Sequence, residues 1–323
     1  MSVAVLKPGW LTTVQDRGRY GYANLGVGNA GPMDEVALRL ANLLVGNDEG
    51  AGALEYTASG PCLRFAQAVR VALTGAMFEV RANGAALPMW QSHVLPAGAT
   101  LEIGATTRGL RGYLAVAGSF ALAPVLGSVA TDLNAALGPF GGRALRTGDS
   151  IDLNALPGVD LDPDTKPRWS LDPRPWFDFD PAHPIHLIAG THADALDPAS
   201  RMALHQAEFR IDRDSNRVGL RLDGPRLALS APLELASEAI AFGTVQLPPG
   251  GQPIVLMAEH PTTGGYPRIG QVAAFDLPRL AQLRPGDTLR FIAIDQDEAQ
   301  SRYLAREREL ARLAAAIAQR LQP

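Results

Sequence analysis

The chain has 323 residues, enough for about two domains at roughly 100–200 residues each, and 46% of them are hydrophobic, enough to give each domain a core. Its 33 glycines and 25 prolines stay under the roughly 25–30% share that marks low-complexity disorder, so a compact, turn-rich protein is expected. The net charge of −4, from 29 Lys and Arg against 33 Asp and Glu, lacks the basic excess of a nucleic-acid binder, and the single cysteine, Cys62, excludes an intrachain disulfide or a cysteine metal cluster.

The opening stretch from Met1 to Thr13 holds no apolar run ahead of a small-residue cleavage pattern, and with a lone cysteine this points to a reducing, cytoplasmic location. The first predicted helix runs from Asp34 to Val45, with Asp34 able to accept first-turn N–H groups and Gly46 placed to end it. Val69, Val71 and Leu73 alternate as in a half-buried strand, and Ala82-Asn-Gly84 reads as a hairpin turn. The uncharged stretch Tyr113 to Thr131 is interrupted by Gly118, Pro124 and Gly127, so a strand and buried loop are expected there rather than a membrane span. Alternation returns at Val218, Leu220 and Leu222, and again at Leu289, Phe291 and Ala293. Ile254 to Met257 is continuously apolar, as in a strand covered on both faces, and Pro248-Pro-Gly-Gly251 is the turn before it. A short helix is expected from Asp276 to Leu283, with Pro278 in its first turn. A last helix, from about Asp297 to Leu321, carries an apolar stripe of Leu310, Leu313, Ala314, Ile317 and Leu321 that packs on its own domain or on a partner chain.

A strip rich in Pro and Asp, residues 155–185, also holds Trp169, Trp176, Phe177 and Phe179 and reads as an ordered strap, since such rings are costly to leave in water. It separates an N-terminal β domain (residues 1–154) from a C-terminal β domain (residues 186–296), followed by the C-terminal helix (residues 297–323). The halves share a faint repeat. Arg146-Thr-Gly-Asp149 leads into Ser-Ile-Asp-Leu153 as Arg284-Pro-Gly-Asp287 leads into Thr-Leu-Arg-Phe291, and Gly60-Pro-Cys-Leu-Arg-Phe65 echoes Gly224-Pro-Arg-Leu-Ala-Leu229. The fold class expected is mainly β, two closed or nearly closed barrels with a few short helices.

Only Lys7 and Lys166 are lysines; neither completes a GxxxxGK[ST] phosphate loop or a Met-Lys-Met biotin hairpin, so biotin is not attached covalently to this chain. Chemistry concentrates in Ala258-Glu-His-Pro-Thr-Thr-Gly-Gly-Tyr-Pro-Arg268. Glu259 and His260 are candidate proton carriers, Thr262, Thr263 and Tyr266 offer hydroxyls, and Gly264 and Gly265 allow left-handed backbone with N–H groups aimed at an oxyanion. The same residues also suit a tight hairpin. A second cluster, Gln15, Asp16 and the glycine-rich run to Asp34, forms either an anion-receiving loop at a helix start or a structural turn, with Asp34 as its cap. Arg217 is a candidate carboxylate fork near Gln246. The spacing of His183, His186 and His192 is not that of a metal site, and no metal is expected.

Several motifs together resemble the biotin-dependent carboxyltransferase family, also called allophanate hydrolase subunit 2. They are Leu11-Thr-Thr-Val-Gln-Asp-Arg-Gly-Arg19, Gly31-Pro-Met-Asp34, Ala41-Asn-Leu-Leu-Val-Gly-Asn47, Ala53-Leu-Glu55, Leu73-Thr-Gly-Ala76, Gly112-Tyr-Leu-Ala-Val-Ala-Gly118, Arg217-Val-Gly-Leu-Arg221, Gly243-Thr-Val-Gln-Leu-Pro248 and Thr262-Thr-Gly-Gly-Tyr-Pro267. The family includes the C component of the ATP-dependent 5-oxoprolinase. The resemblance implies two cyclophilin-like β-barrels, partner chains of the 5-oxoprolinase B and A types, ATP bound at a subunit interface, and opening of the 5-oxoproline lactam to glutamate. A related implication is a carboxyltransferase half acting on carboxybiotin and a urea-like amide, and a third is a non-catalytic regulator that binds a kinase inhibitor. The segment from Glu259 to Tyr266 and the loop from Gln15 to Asp34 are expected to line one cleft, with Arg217 in reach. Neither nucleic acid nor membrane is an expected partner.

Overall fold

The computed structural model describes residues 2–154, 161, 169–177 and 183–321. The chain divides into two compact units: unit 1 holds Met1–Arg19, Ala30–Asp178 and Arg312–Pro323, and unit 2 holds Tyr20–Asn29 and Phe179–Ala311. Both are mainly β, as the alternating patterns require.

Unit 1 carries β1 (Ser2–Lys7), β2 (Leu11–Gln15), β3 (Ala53–Thr57), β4 (Cys62–Phe65), β5 (Val69–Ala82), β6 (Ala85–Ala86), β7 (Ser92–Leu95), β8 (Thr100–Val116) and β9 (Ser150–Asp152). The sheet runs β2-β3-β8-β4-β1-β9, and β5 pairs with β6, β7 and β8. One half of β8 pairs with β3 (Leu54↔Leu114) and the other with β4 (Leu63↔Leu101), while β5 follows β8 through three register shifts. Such irregularities bend and twist a ladder, so the sheet curls around a core of Val3, Leu54, Tyr56, Phe65, Val71 and Leu114. Asn83 and Gly84, both at positive φ, close the two-residue turn between Ala82 and Ala85, the geometry a hairpin favours.

The helix Glu35–Val45 forms as predicted: Asp34 Oδ1 accepts from the Ala37 amide at 2.9 Å, and Gly46 ends it at φ 86°. Thr74 of β5 donates its hydroxyl to Ala37 O at 2.7 Å, which ties the helix to the sheet. Of the strap, Phe177 is buried edge-on against Trp90, with ring centroids 4.8 Å apart, and the Leu171 amide donates to Trp90 O. Phe179 and most of the Pro/Asp strip lie outside the described residues.

Unit 2 carries β10 (Ile185–Ala189), β11 (Phe209–Ile211), β12 (Gly219–Asp223), β13 (Glu238–Ala239), β14 (Thr244–Gln246), β15 (Ile254–Leu256), β16 (Thr263–Gly264), β17 (Arg268–Val272), β18 (Thr288–Leu289) and β19 (Phe291–Ala293). Its sheet runs β18-β11-β12-β15-β14-β17-β10-β19, and β13 and β16 form a separate pair. Leu187, Phe209, Leu220, Val245, Val255 and Phe291 fill its interior.

The shared Arg-x-Gly-Asp segments adopt the same turn in both units. Arg146 N donates to Asp149 Oδ2 and Arg284 N to Asp287 Oδ2, each at 2.7 Å. Gly148 N then reaches Val5 O, and Gly286 N reaches Ile211 O, both at 2.8–2.9 Å. The sequence echo is therefore a structural echo at these turns.

Three elements depart from expectation. The helix expected from Asp276 to Leu283 is α-helical only at Leu277–Leu280, because the chain then tightens into turns in which Gln282 N donates to Arg279 O at 3.0 Å and Leu283 N to Leu280 O at 3.2 Å; Asp276 Oδ2 accepts from the His186 amide at 2.7 Å and meets His186 Nδ1 at 2.8 Å. The run Leu289, Phe291, Ala293 splits at Arg290 into two strands that pair with different neighbours, β11 and β10. The helix Pro198–Gln206 was not anticipated; Asp197 caps it at Ser200 N, but it buries only Ser200 and Leu204, too little for a periodic signal. The C-terminal helix, Gln296–Leu321, matches its predicted span and buries Leu310 and Ile317 from the expected stripe.

Candidate functional site

Glu259 and Arg217 are brought together by strand pairing. Where β12 and β15 begin to part, Met257 N donates to Val218 O and Glu259 N to Arg217 O at 2.8 Å, so the two side chains leave the backbone at adjacent points. Arg217 Nε donates to Glu259 Oε1 at 2.6 Å, with both side chains at most 4% exposed. Arg217 therefore engages an internal carboxylate, and Glu259 is held in a charge-assisted bond. His260 N donates to Met257 O at 3.0 Å and its Nδ1 lies 2.7 Å from Pro261 O. A carbonyl only accepts, so Nδ1 carries the hydrogen and Nε2 of the neutral ring keeps the lone pair. Burial lowers the His260 pKa from its ordinary value, partly offset by the Pro261 carbonyl.

The Thr-Thr-Gly-Gly-Tyr segment is a short strand edge. Thr263 and Gly264 pair with Ala239 and Glu238, and Ile240 N donates to Thr262 O at 3.3 Å. Thr263, Gly265 and Tyr266 are exposed and Thr262 is half-buried. Gly264 and Gly265 are not among the positive-φ glycines, so their expected left-handed geometry is corrected. A Cβ at Gly264 would sit 2.5 Å from Gln246 Nε2, so the end of that side chain would have to shift; this buried amide nitrogen has no hydrogen-bond partner among the described residues.

Beside this segment lies a cleft of about 620 Å³, whose walls include Ala239, Ile240, Thr244, Gln271 and Arg268 and the first two turns of the C-terminal helix. Arg268 pairs with Glu238, and its Nη1 also donates to Ala239 O at 3.2 Å. Gln271 is fixed: its Oε1 accepts from Thr244 Oγ1 at 2.8 Å and its Nε2 donates to Phe242 O at 2.8 Å. None of Arg217, Glu259 or His260 lines this cleft. Sequence reading passed over it because its polar groups come from four separated segments.

In unit 1, Gln15 is fully buried; its Nε2 donates to Thr13 Oγ1 and Thr131 O, both at 3.0 Å, and its Oε1 has no hydrogen-bond partner among the described residues. Arg19, also buried, donates to Val125 O and Ala130 O. Asp16 is occupied structurally: it accepts from Gly18 N, Ser128 Oγ and Val129 N. Asp34 is the helix cap, and its own N–H donates to Tyr113 Oη at 2.8 Å. Tyr113 in turn donates to Glu55 Oε2 at 2.6 Å, and Glu55 Oε2 also accepts from Met33 N. Burial first, then the Glu55 and Asp34 carboxylates, push the Tyr113 phenol well above its usual range, so it stays a donor. Sequence reasoning did not pair Glu55 with Tyr113, although both lie in the quoted motifs. Tyr113→Phe leaves the buried Asp34 N–H without this acceptor and is expected to lower stability by about 1–3 kcal/mol, read from the urea midpoint.

His93, His205 and His260 all have pKa values lowered chiefly by burial. The unfolded chain, with these rings near 6.5, then binds protons more readily than the folded one. Their contribution is full above about pH 6.5 and is lost as pH falls through and below that value. A urea-unfolding series between about pH 8 and pH 5 should show this acid loss, and His260→Gln should flatten it. Among the described residues no group of three or more His, Cys, Asp or Glu is placed to hold a metal, and no helix is long and apolar enough to cross a membrane.

Comparison with known proteins supplies the frame for these sites. Residues 25–293 match the family model described as carboxyltransferase domain, subdomain A and B. The C component of 5-oxoprolinase from Haemophilus influenzae is 37% identical over 287 residues, covering 89% of this chain and 89% of that protein. Its Escherichia coli counterpart is 37% identical over 297 residues, covering 91% and 92%. Among solved structures, the K. lactis urea amidolyase aligns with a TM-score of 0.87 at 28% identity, over 96% of this chain but only 20% of that one. With most of its length matched by the family model and by relatives above one-third identity, the chain belongs to the carboxyltransferase domain, subdomain A and B family.

Proposed function

We propose that this chain is the C component of an ATP-dependent 5-oxoprolinase, which opens the 5-oxoproline lactam to glutamate together with partners of the A and B types. The observation that carries the reading is length. The chain matches both 5-oxoprolinase C components nearly end to end, whereas it spans a fifth of the urea amidolyase chain.

In this reading the neutral His260 Nε2 takes a proton from the water that adds to the lactam carbonyl and passes it to the ring nitrogen as the lactam C–N bond breaks, and its lowered pKa keeps Nε2 unprotonated and able to accept near neutral pH. The Thr262 and Thr263 hydroxyls and the Gly265 N–H stabilise charge developing on the lactam oxygen, Tyr266 borders them, and the Arg217–Glu259 pair fixes the strand end that carries His260. Gln15 and Asp34 shape the buried polar interior of unit 1. The described residues do not fit ATP: among them the cleft has one guanidinium, already paired with Glu238, and no lysine, and the sequence has no phosphate loop. Nucleotide binding therefore belongs to the assembled complex, at a subunit interface, and no step is derived through it. The working location is the cytoplasm. The test is ATP hydrolysis stimulated by 5-oxoproline in a mixture of the three components; stimulation that persists when this chain is omitted would reject the proposal.

A second reading is carboxyltransfer to a urea-like amide, favoured by the family model and by the urea amidolyase alignment. It requires a separate biotin carrier. Transfer of labelled bicarbonate into an acid-stable product would support it, and neighbouring genes for the A and B components without a biotin carrier would count against it.

A further inference from the structure

We infer that the cleft of unit 2 binds a small cyclic amide bearing one carboxylate, with the amide held by Gln296 and Gln300 and the carboxylate by Arg268. This rests on the 5-oxoprolinase reading and adds to it a binding site formed by residues outside the Thr-Thr-Gly-Gly-Tyr segment.

The argument starts from the C-terminal helix. Gln296, Ala299, Gln300 and Tyr303 all line the cleft, and their spacing of three, four and seven places them on one face of the first two turns. That face differs from the Arg/Glu surface of the later turns: it presents two carboxamides and a phenol around a small alanine that leaves the space open. A carboxamide offers a donor and an acceptor together, the pattern that matches the adjacent N–H and C=O of a ring amide, whose peptide bond is held cis. The strand walls add Thr191 and the immobilised Gln271, so the cleft is rich in neutral hydrogen-bonding groups.

Charge narrows the ligand further. Among the described residues no carboxylate lines the cleft, and its one cation is Arg268. The Arg268 side chain is 22% exposed and its partner Glu238 51% exposed, so the pair sits at the rim where a ligand carboxylate can share the guanidinium. One shared guanidinium suits a single negative charge and not a polyphosphate. The volume, about 620 Å³, lies within the range of small-molecule sites. The cleft also adjoins the candidate chemistry: Ala239 and Ile240 line it, Ala239 pairs with Thr263, and Ile240 N bonds Thr262 O, so the two lie about one strand spacing, ~5 Å, apart.

The test uses the assembled three-component complex, with binding of 5-oxoproline and of 2-pyrrolidone, the same ring without the carboxylate, read by calorimetry and the turnover KM for 5-oxoproline read alongside. Gln300→Leu is expected to weaken both ligands roughly 3–10-fold, the loss of one hydrogen-bonding group. Arg268→Gln is expected to weaken 5-oxoproline roughly 10–100-fold while leaving 2-pyrrolidone little changed. Ala299→Trp, checked for folding by its unfolding midpoint, should abolish both by filling the cleft. Unchanged affinity and KM in a folded Gln300→Leu or Arg268→Gln complex would overturn the inference and leave the 5-oxoprolinase reading standing. If the wild-type complex neither binds nor turns over 5-oxoproline, both that reading and the cleft assignment fail.

Discussion

Glu259→Ala is expected to destabilise the chain by about 3–5 kcal/mol, the largest single-residue loss anticipated, because it removes the carboxylate that pairs with Arg217 where both side chains are almost fully excluded from water. Much of that loss is the penalty of a buried guanidinium deprived of its counter-charge, and not the net worth of the pair. Replacing both partners by apolar residues of similar size, as in Arg217→Met with Glu259→Leu, should therefore recover a large part of it. Urea denaturation of the two single variants and the double variant gives the coupling. Strictly additive losses would show that the pair does not act as a unit. Activity should not follow stability: the double variant loses the polar anchor of His260 and should stay impaired after its fold recovers.

His260→Ala should reduce lactam-dependent turnover by roughly 10²–10⁴-fold, the usual contribution of a positioned proton carrier, with little change in partner binding. Because burial lowers the His260 pKa, the acid limb of the wild-type rate profile should fall below the ordinary histidine value of 6.5. That limb should disappear in His260→Ala. A variant with near-normal turnover would remove His260 from the chemistry and leave the Thr262–Gly265 edge as the remaining candidate.

The parts of this molecule legible in its sequence are those fixed by local rules. The helix capped by Asp34 and stopped by Gly46, the Asn83-Gly84 turn and the paired Arg-x-Gly-Asp turns all satisfy their hydrogen bonds within a few residues, so short motifs announce them. The C-terminal helix was legible because its stripe repeats over many turns. What escaped depends on contacts distant in sequence. The pairing of Arg217 with Glu259 spans 42 residues and that of Tyr113 with Glu55 spans 58, so residues that read as independent proton carriers or ligand forks turn out to be partners. The side chain of Asp276 reads as a local helix cap but accepts instead from the amide of His186, 90 residues earlier. At Gly264 the backbone is not left-handed, and what a side chain there would meet is Gln246, 18 residues earlier in the chain. The cleft could not be seen at all, since Gln296, Gln300 and Tyr303 look like ordinary polar positions on an exposed helix until the strands of unit 2 are folded against them.

The most direct test of the central claim measures glutamate and ADP in the same reaction, with 5-oxoproline, ATP, partner components of the A and B types and this chain, against an otherwise identical mixture lacking it. The proposed function predicts that glutamate and ADP appear in equal amounts only when this chain is present, without biotin or added bicarbonate. Glutamate formed equally well without the chain, or a product that appears only with a carboxylated biotin carrier, would contradict it.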